Sequence, residues 1–289
     1  MRWLPLLAVA GLLALAGSGE GGAVDDGPAS SDMTPYDGPL DVEVSYDDAA
    51  DVMQRSGAAG LALECTGTPS NGGGADYESG LASTQSSAAR AVADWMKEDG
   101  GWFSGLPRDG YTVERDDGDW ALLSYDVEGA TKVAMVVSST IHDWQDETGW
   151  GVYAWAMCDP AELPAAVTDE MGLQIWEDSH GHRVPQSVVS SFSGPEHCGW
   201  QDITFLKVGD DPSRAPQFVS DDGGEFEGQL LAAYDGSARL PADAVDTGFQ
   251  RAGRRLWLAA DRSAAYLVGL DDPADVQQWP RARRPIFCD

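Results

Sequence analysis

Four widely spaced cysteines constrain the fold of this 289-residue chain more than any other feature. No two of them have C-x-x-C spacing, so the usual signature of a thioredoxin-like redox motif or of a zinc ribbon is missing. In an exported chain an even number of cysteines predicts disulfides, here two. Three pairings are possible. We favour Cys65 with Cys158 and Cys198 with Cys288, because each half of the chain then carries one bridge.

The first residues have the pattern of an export signal. One positive charge at Arg2 precedes about a dozen apolar residues and the small-residue exit Ala14-Leu15-Ala16. A membrane span would need about 20 apolar residues, so we predict a signal peptide over residues 1–16. The stretch Leu15-Ala16-Gly17 resembles the processing site of bacterial lipoproteins, but Ser18 stands where the lipid-bearing cysteine would be. We therefore expect a secreted or cell-envelope-associated protein, released rather than anchored, with no membrane span after signal removal.

The chain is strongly acidic, with 48 Asp and Glu against 18 Lys and Arg and a formal charge of -30. This charge excludes nucleic acid as a partner, since that binding depends on Lys and Arg replacing counterions. The excess of Asp over Glu and of Arg over Lys resembles exported proteins of GC-rich bacteria. An apolar content of 43% with 11 Trp indicates a folded chain, because disordered acidic chains are poor in aromatics.

Seven of the 18 basic residues lie in the segment 251–289. We interpret these arginines as partners of acidic side chains in the same molecule. The alternative is a docking patch for an acidic partner.

Composition divides the chain into three parts after the signal. Residues 17–40 are rich in Gly, Ser, Asp and Pro without apolar periodicity, which predicts a flexible linker. Beyond it we expect an α+β domain over residues 41–160 and a β-rich domain over residues 161–289. The predicted fold class is thus α+β: an antiparallel β-meander with two packed helices, followed by a strand-rich, mainly antiparallel second half.

In the first domain, Ser45 is a good N-cap for a helix over residues 46–56 that ends at Gly57. A second helix is predicted over residues 87–98, with Trp95 on its inner face and both helices on one face of the sheet. The turns Asp117-Gly118 and Glu128-Gly129 indicate hairpins. The nearly continuous apolar run at 132–137 is typical of a central strand covered on both faces. The predicted strands are 61–64, 111–115, 120–127, 131–138 and 150–158.

Asp159-Pro160 should end this sheet, and a short helical or irregular linker should follow over residues 161–170. The segment 255–268 has the cadence of a hairpin, as in one propeller blade, but it occurs once. The predicted strands of the second half are 173–176, 203–208, 217–220, 230–234, 256–259, 264–268 and 276–279.

The motif His180-Gly181-His182 is the best candidate for a metal site. The motif follows Glu177 and Asp178. Two imidazoles two residues apart on a strand point to the same face, and a nearby carboxylate could complete a zinc site. Because no H-E-x-x-H or similar spacing supports this hypothesis, we interpret the segment as a polar turn in solvent.

Other candidate chemistry has equally simple alternatives. The Gly-rich segment 66–74 matches neither a G-x-S-x-G nucleophile elbow nor a phosphate loop, so we expect a mobile surface loop. The many adjacent Asp pairs are expected in the turns of so acidic a chain, and no acidic cluster fits an EF-hand. Trp144, Trp150 and Trp155 lie near His142 and several carboxylates, as in a sugar-binding cleft. However, Trp150 and Trp155 should face opposite sides of one strand, so we expect core indoles.

We therefore predict no catalytic, cofactor-binding or metal-binding residues and no cofactor. The expected function is that of an exported, disulfide-stabilised, non-catalytic binding or interaction protein, monomeric, with an unknown envelope or extracellular partner. The alternative is an extracytoplasmic hydrolase of glycan or peptide that uses a carboxylate pair.

Overall fold

The structure is a computed structural model that describes residues 35–47, 50–75, 84–98, 106–209 and 215–288. The described residues do not include the predicted signal peptide or most of the predicted linker. They also do not include Asp48 of the Asp47-Asp48 pair or either residue of the Asp210-Asp211 pair. Residues 35–289 form one compact unit. The domain boundary near residue 160 stays a prediction.

The first half forms the predicted antiparallel meander, a five-stranded sheet of order β1-β5-β4-β3-β2. Gly118 and Gly129 have the positive φ angles, 88° and 82°, that the predicted hairpin turns require. The bounds are β1 Asn71–Gly74, β2 Thr112–Asp116, β3 Trp120–Val127, β4 Ala130–His142 and β5 Thr148–Met157.

Two helices, α1 Val52–Leu61 and α2 Ala88–Glu98, cover opposite faces of this sheet. Met135 of β4 packs with Trp95 of α2, whereas the alternate residue Val136 packs with Ala59 of α1. The prediction that both helices share one face was therefore wrong. The prediction that the apolar run of β4 is covered on both faces was correct. Because a strand alternates its side chains between faces, a continuous apolar run requires cover on both sides.

A β-bulge on β5 alters the predicted direction of its tryptophans. Val136 of β4 pairs with Ala154, but the next residue, Val137, pairs with Val152, so Tyr153 is the extra residue. As a result Trp150 and Trp155 both pack against the core on the α2 side, and the prediction that they face opposite sides was wrong. The prediction of Trp155 as a core indole was correct, because only 4% of its surface is exposed.

Helix α1 begins later than the sequence predicted and ends at Leu61. The strand expected at 61–64 was wrong, because residues 62–64 form a turn and irregular chain. Asp51, not Ser45, is the N-cap, because its side chain accepts from the Gln54 backbone while the Gln54 side chain accepts from the Asp51 backbone. Gly57 does not end the helix. It has φ 51° and forms a kink within it, after which small residues let α1 approach the sheet closely.

The Gly-rich segment is not the mobile loop that the sequence suggested, because residues 71–74 form the edge strand β1. Gly72 is required here by close packing. A Cβ at this position would lie against the Ser56 hydroxyl of α1 and 2.7 Å from the Trp155 carbonyl oxygen.

The second half is strand-rich and antiparallel, as predicted. Its described residues contain one α-helix, α3 Ala165–Glu170, and the short 3-10 helices 160–162 and 196–198. A three-stranded sheet of order β10-β9-β8 and a six-stranded sheet of order β14-β13-β12-β11-β6-β7 share a core that includes Leu206, Phe218, Leu256 and Trp279. The bounds are β6 Trp176–Glu177, β7 Arg183–Val184, β8 Val189–Ser193, β9 Thr204–Val208, β10 Gln217–Ser220, β11 Val245–Arg251, β12 Arg254–Leu258, β13 Ala264–Gly269 and β14 Val276–Pro280.

Two predicted strands of this half were wrong. Of residues 173–176, Trp176 alone belongs to a strand, β6, and Gln174 makes an isolated bridge to Ser191. Over residues 230–234, Leu230 makes a single bridge to Ala282, and Leu231 is 42% exposed. Strands β7, β8 and β11 were not predicted. Their sequences, with Ser190, Ser191 and Gly248, lack a continuous apolar alternation.

Both disulfides pair as favoured from the sequence. Cys65 is bonded to Cys158, with 5.3 Å between their Cα atoms, and Cys198 to Cys288, with 6.4 Å. The first bridge connects Cys158, directly after β5 of the five-stranded sheet, to Cys65 in the chain after α1. None of the helices that the structure describes has the length and apolarity needed to cross a membrane.

Candidate functional site

A cavity of about 290 Å³ lies where three separate elements of the second half meet. Thr168 and Asp169 of α3 form one wall, and Glu177 and Arg183 of the β6–β7 hairpin form another. Arg251, at the end of β11, completes the lining together with a few apolar side chains. We refer to this cavity as the α3 cleft.

The wall formed by α3 is held in place by buried polar contacts. Asp159, 5% exposed, accepts from the backbone N–H of Ala161 at 2.9 Å and from that of Gln186 at 2.9 Å. This carboxylate therefore joins the start of the linker to the chain that follows β7. Asp159 also caps the short 3-10 turn 160–162. The position where the sequence predicted the end of the sheet therefore also fixes the chain that leads to α3.

Arg183 acts as a second clamp on the same wall. Its guanidinium donates to the Leu163 carbonyl oxygen at 2.6 Å and to the Thr168 hydroxyl oxygen at 2.7 Å. Burial lowers the pKa of Arg183, while the carboxylates of Asp169 and Glu177 act in the opposite direction. With these donors engaged, Arg183 shapes the α3 cleft, and its Thr168 partner is likewise occupied.

Arg251 differs from Arg183 because its guanidinium has no hydrogen bond or ion pair with any residue in the described part of the chain. Burial lowers its pKa, and the nearby Asp169 carboxylate partly offsets this effect. The carboxylates of Asp169 and Glu177 also lack hydrogen-bond partners among the described residues. The α3 cleft thus brings together one partly buried cation and two exposed carboxylates that have no hydrogen-bond partner among the described residues.

The turn beside Arg251 is strained. Ala252 has φ 49° and is followed by Gly253 with φ 74°, so two residues in the left-handed region connect β11 to β12. A non-glycine residue in this region is uncommon, and such strain is concentrated at functional sites. Ala252 itself lines the α3 cleft.

A larger, more open groove of about 680 Å³ lies between α1 and the segment before it. Its walls include Val42, Met53 and Leu61, and two of its polar side chains form local contacts. The Gln54 side chain closes the capping box, and the Ser45 hydroxyl accepts from the backbone of Asp47. The α3 cleft is the better candidate site because its lining combines a cation with two carboxylates, whereas the lining of the groove contains no Lys, Arg or His.

The structure places the histidine motif at the tip of the β6–β7 hairpin, next to the α3 cleft. His180 and His182 are exposed, and Asp178 lies beside both rings, as the sequence hypothesis required. Backbone N–H groups of His182 and His180 donate to Asp178 and lower its pKa to about 2. The segment is a turn, as predicted, but the carboxylate and both imidazoles are brought together within it.

His197 lies beside the second disulfide. Its Nε2 atom is 3.1 Å from the Sγ atom of Cys288. The first disulfide has a different environment, with the ion pair of Lys132 and Glu162 next to it. No local pattern in the sequence marks this pair, because the two residues are on separate elements.

The proposed sugar-binding cluster is not assembled. Trp144 is 59% exposed in the β4–β5 loop, whereas Trp155 belongs to the core. Asp143 accepts from the backbone N–H groups of Gln145 and Glu147, which makes it part of a turn. These residues line neither of the two cavities described above.

Several other acidic side chains also serve as turn acceptors, which is the role expected for Asp pairs in turns. Asp116 accepts from Gly118, Asp221 from Phe226, and Asp272 from Ala274. Among the carboxylates of the described residues, Glu114 is the one whose pKa is raised, by partial desolvation and by the neighbouring acids Asp126 and Glu64. Glu114 lies on β2, outside both cavities.

Two arginines of the basic segment are paired within the molecule, as the sequence analysis expected. Arg254 contacts Asp275 at 2.6 Å, and Arg255 contacts Asp246 at 3.3 Å. Arg251, which lines the α3 cleft, has no such pair among the described residues.

Comparisons with protein-family models, curated proteins and solved structures gave no match for this chain. The function is therefore inferred from the geometry alone.

Proposed function

We propose that this chain is an exported, non-catalytic binding protein whose α3 cleft takes a small molecule carrying both a carboxylate and an amine. The observation that carries the proposal is the set of Arg251, Asp169 and Glu177, three charged side chains without hydrogen bonds or ion pairs among the described residues, around one cavity of about 290 Å³.

The charges define the ligand class. An arginine guanidinium matches a carboxylate with two parallel hydrogen bonds, so Arg251 is the expected anchor for the acidic group. Asp169 and Glu177 provide acceptors for an ammonium group. Leu173 and Ile175 add apolar surface for a short side chain. A zwitterion such as an amino acid satisfies all these groups at once.

The size of the α3 cleft supports a small ligand. Ligand pockets have volumes of about 300–1,000 Å³, and this one lies at the lower limit. The Thr168 hydroxyl, which lines the cleft, donates to the Ala165 carbonyl oxygen and accepts from Arg183. Because both hydrogen bonds hold the Thr168 hydroxyl within the protein, the residue is better suited to shaping a binding site than to acting as a nucleophile.

Two disulfides support a location outside the cytoplasm, because such bonds persist in oxidising compartments. Secretion or envelope association, and a monomeric state, are parts of the same proposal.

Isothermal titration calorimetry with three probes tests this function. L-alanine carries both charges, whereas acetate and methylamine carry one each. We expect L-alanine to bind more tightly than either fragment and Arg251→Gln to weaken it about 10- to 100-fold, since hydrogen bonds to charged groups contribute about 1.5–3 kcal/mol.

Arg284→Gln is the matched control, because it removes the same charge from an exposed position outside the cleft. Equal binding of L-alanine by the wild type and Arg251→Gln would contradict the assignment. If acetate bound as tightly as L-alanine, the carboxylate site at Arg251 would be supported, but the proposed ammonium site at Asp169 and Glu177 would be contradicted.

A further inference from the structure

The tip of the β6–β7 hairpin is a loop whose shape is fixed by one carboxylate. The Oδ1 atom of Asp178 accepts from the backbone N–H of His180 at 2.7 Å and from that of His182 at 2.9 Å. The Asp178 N–H donates to the His182 carbonyl oxygen at 2.8 Å, and Gly181 supplies the positive φ angle, 82°, that the turn needs. The loop is therefore ordered by its own backbone bonds.

These bonds orient the other carboxylate oxygen toward both imidazoles. Oδ2 of Asp178 is 3.0 Å from Nδ1 of His182 and 3.8 Å from Nδ1 of His180. The two rings stack with 5.9 Å between their centroids and an angle of 23° between their planes. One ligand atom from each residue lies within 4.8 Å of the other two.

These separations suit a metal ion. Ligand atoms about 2.0–2.2 Å from a tetrahedral zinc lie about 3.4 Å from one another. The side chains of His180 and His182 are 76% and 79% exposed, so small rotations of the rings meet this requirement without a change in the core. The exposure also leaves further coordination positions to water.

We propose that Asp178, His180 and His182 bind a divalent transition metal ion of the Zn²⁺ class. Two imidazoles and one carboxylate select such ions over Mg²⁺ and Ca²⁺, which prefer all-oxygen sites. The sequence pattern supplied the two histidines. The folded loop adds the carboxylate and brings the three groups within coordinating distance. The site is separate from the ligand proposed for the α3 cleft.

The overall charge of -30 attracts cations to the whole surface, so the test needs an internal control. His142 provides it. This histidine is also exposed and lies 3.7 Å from a carboxylate four residues later, Asp146, but no second imidazole is part of the cluster.

Calorimetric titration of the full oxidised chain with ZnCl₂ is the experiment. We expect one ion per chain, bound equally well by the wild type and His142→Ala and not by the double variant His180→Ala/His182→Ala. Asp178→Asn should weaken binding by at least about tenfold, since even outer-shell groups contribute 10- to 100-fold. An excess of Mg²⁺ should not displace the zinc. Circular dichroism of each variant verifies that the fold is intact.

A second readout locates the ion. Substoichiometric Cu²⁺, which is paramagnetic, should broaden the imidazole NMR signals of His180 and His182 before those of His142 and His197. Undiminished zinc binding by the double variant, loss of binding in His142→Ala, absence of binding by the wild type, or uniform broadening of all four histidines would each overturn the proposal.

Discussion

Removing one partner of the buried ion pair of Lys132 and Glu162, next to the first disulfide, should be strongly destabilising. The side chains are 9% and 12% exposed, and their charged atoms are 2.8 Å apart. Glu162 also accepts from the Thr66 backbone at 2.8 Å, and Lys132 donates to the Glu64 carbonyl oxygen at 2.6 Å. Removing one partner of a buried pair costs about 3–5 kcal/mol, because the other charge is left uncompensated.

The two single variants should differ. Glu162→Ala leaves Lys132 with the Glu64 carbonyl as its acceptor, so we expect a loss of about 3 kcal/mol in the free energy of unfolding. Lys132→Met leaves Glu162 with the backbone donors Thr66 and Gly67, both in exposed positions, so a smaller loss of about 2 kcal/mol is expected. The double variant should lose about 1–3 kcal/mol less than the sum of the two.

Urea unfolding of the oxidised protein measures these losses, with the slope m serving as a check that the unfolded state is unchanged. Losses below about 1 kcal/mol in both single variants, with an additive double variant, would refute the reasoning. The same pair supports the start of the segment that leads to α3, so Glu162→Ala should also weaken binding in the α3 cleft.

The pH dependence of stability gives an independent check. The Lys132 ammonium and the Thr66 N–H lower the pKa of Glu162 against the opposing effect of burial. Because its pKa is lowered, the ionised Glu162 carboxylate contributes fully to the free energy of unfolding above the ordinary glutamate pKa of about 4.3. This contribution is lost as the pH falls through the pKa of the folded state. Glu162→Gln should therefore show a shallower loss of stability than the wild type below about pH 4.3.

Two further variants test backbone constraints. Ala252→Asn should raise the free energy of unfolding by about 0.5–1 kcal/mol in urea titrations, because Asn tolerates the left-handed conformation better; an unchanged or lower value would argue against strain. Gly72→Ala should cost about 1–3 kcal/mol, since its Cβ meets Ser56 and Trp155. Gly73→Ala on the same strand has open space and should change stability by less than about 0.5 kcal/mol, so equal losses at the two positions would contradict the packing argument.

Local sequence signals predicted much of the fold. The turns at Gly118 and Gly129, the doubly buried strand around Met135 and the breaker Asp159-Pro160 act within a few residues, so pattern and turn chemistry suffice to locate them. The predictions that were wrong concern features that no local pattern in the sequence marks. The bulge at Tyr153 reverses the alternation of β5, and nothing in the local sequence marks it.

Two other errors arose from competition between equivalent signals. Ser45 and Asp51 are both acceptable N-caps, and Gln54 decides between them by completing a capping box with Asp51. Gly72 resembles a loop residue until α1 is known to pack directly on it. The capping box is visible in the sequence, because Gln54 follows Asp51 by three residues. The contact of Gly72 with Ser56 is with a residue whose position relative to β1 the sequence alone does not show.

The α3 cleft could not be predicted because its charged residues come from three elements that are far apart in the chain. Asp169, Glu177 and Arg251 show no common spacing. Two local signals could have drawn attention to it: the Ala252-Gly253 turn without an Asn or Asp, and the position of Arg251 at the start of the basic segment. The histidine motif, in contrast, was found from the sequence because its residues lie within one loop.

The most direct test of the central claim is an NMR titration of the ¹⁵N-labelled protein with L-alanine, observing the side-chain Nε–H of Arg251 and the backbone amides. Binding of L-alanine in the α3 cleft should give saturable shifts that are largest at Arg251, Ala252 and Asp169 and that are lost in Arg251→Gln. Shifts centred on the larger groove at Val42 and Met53, or no saturable shift at Arg251, would contradict it.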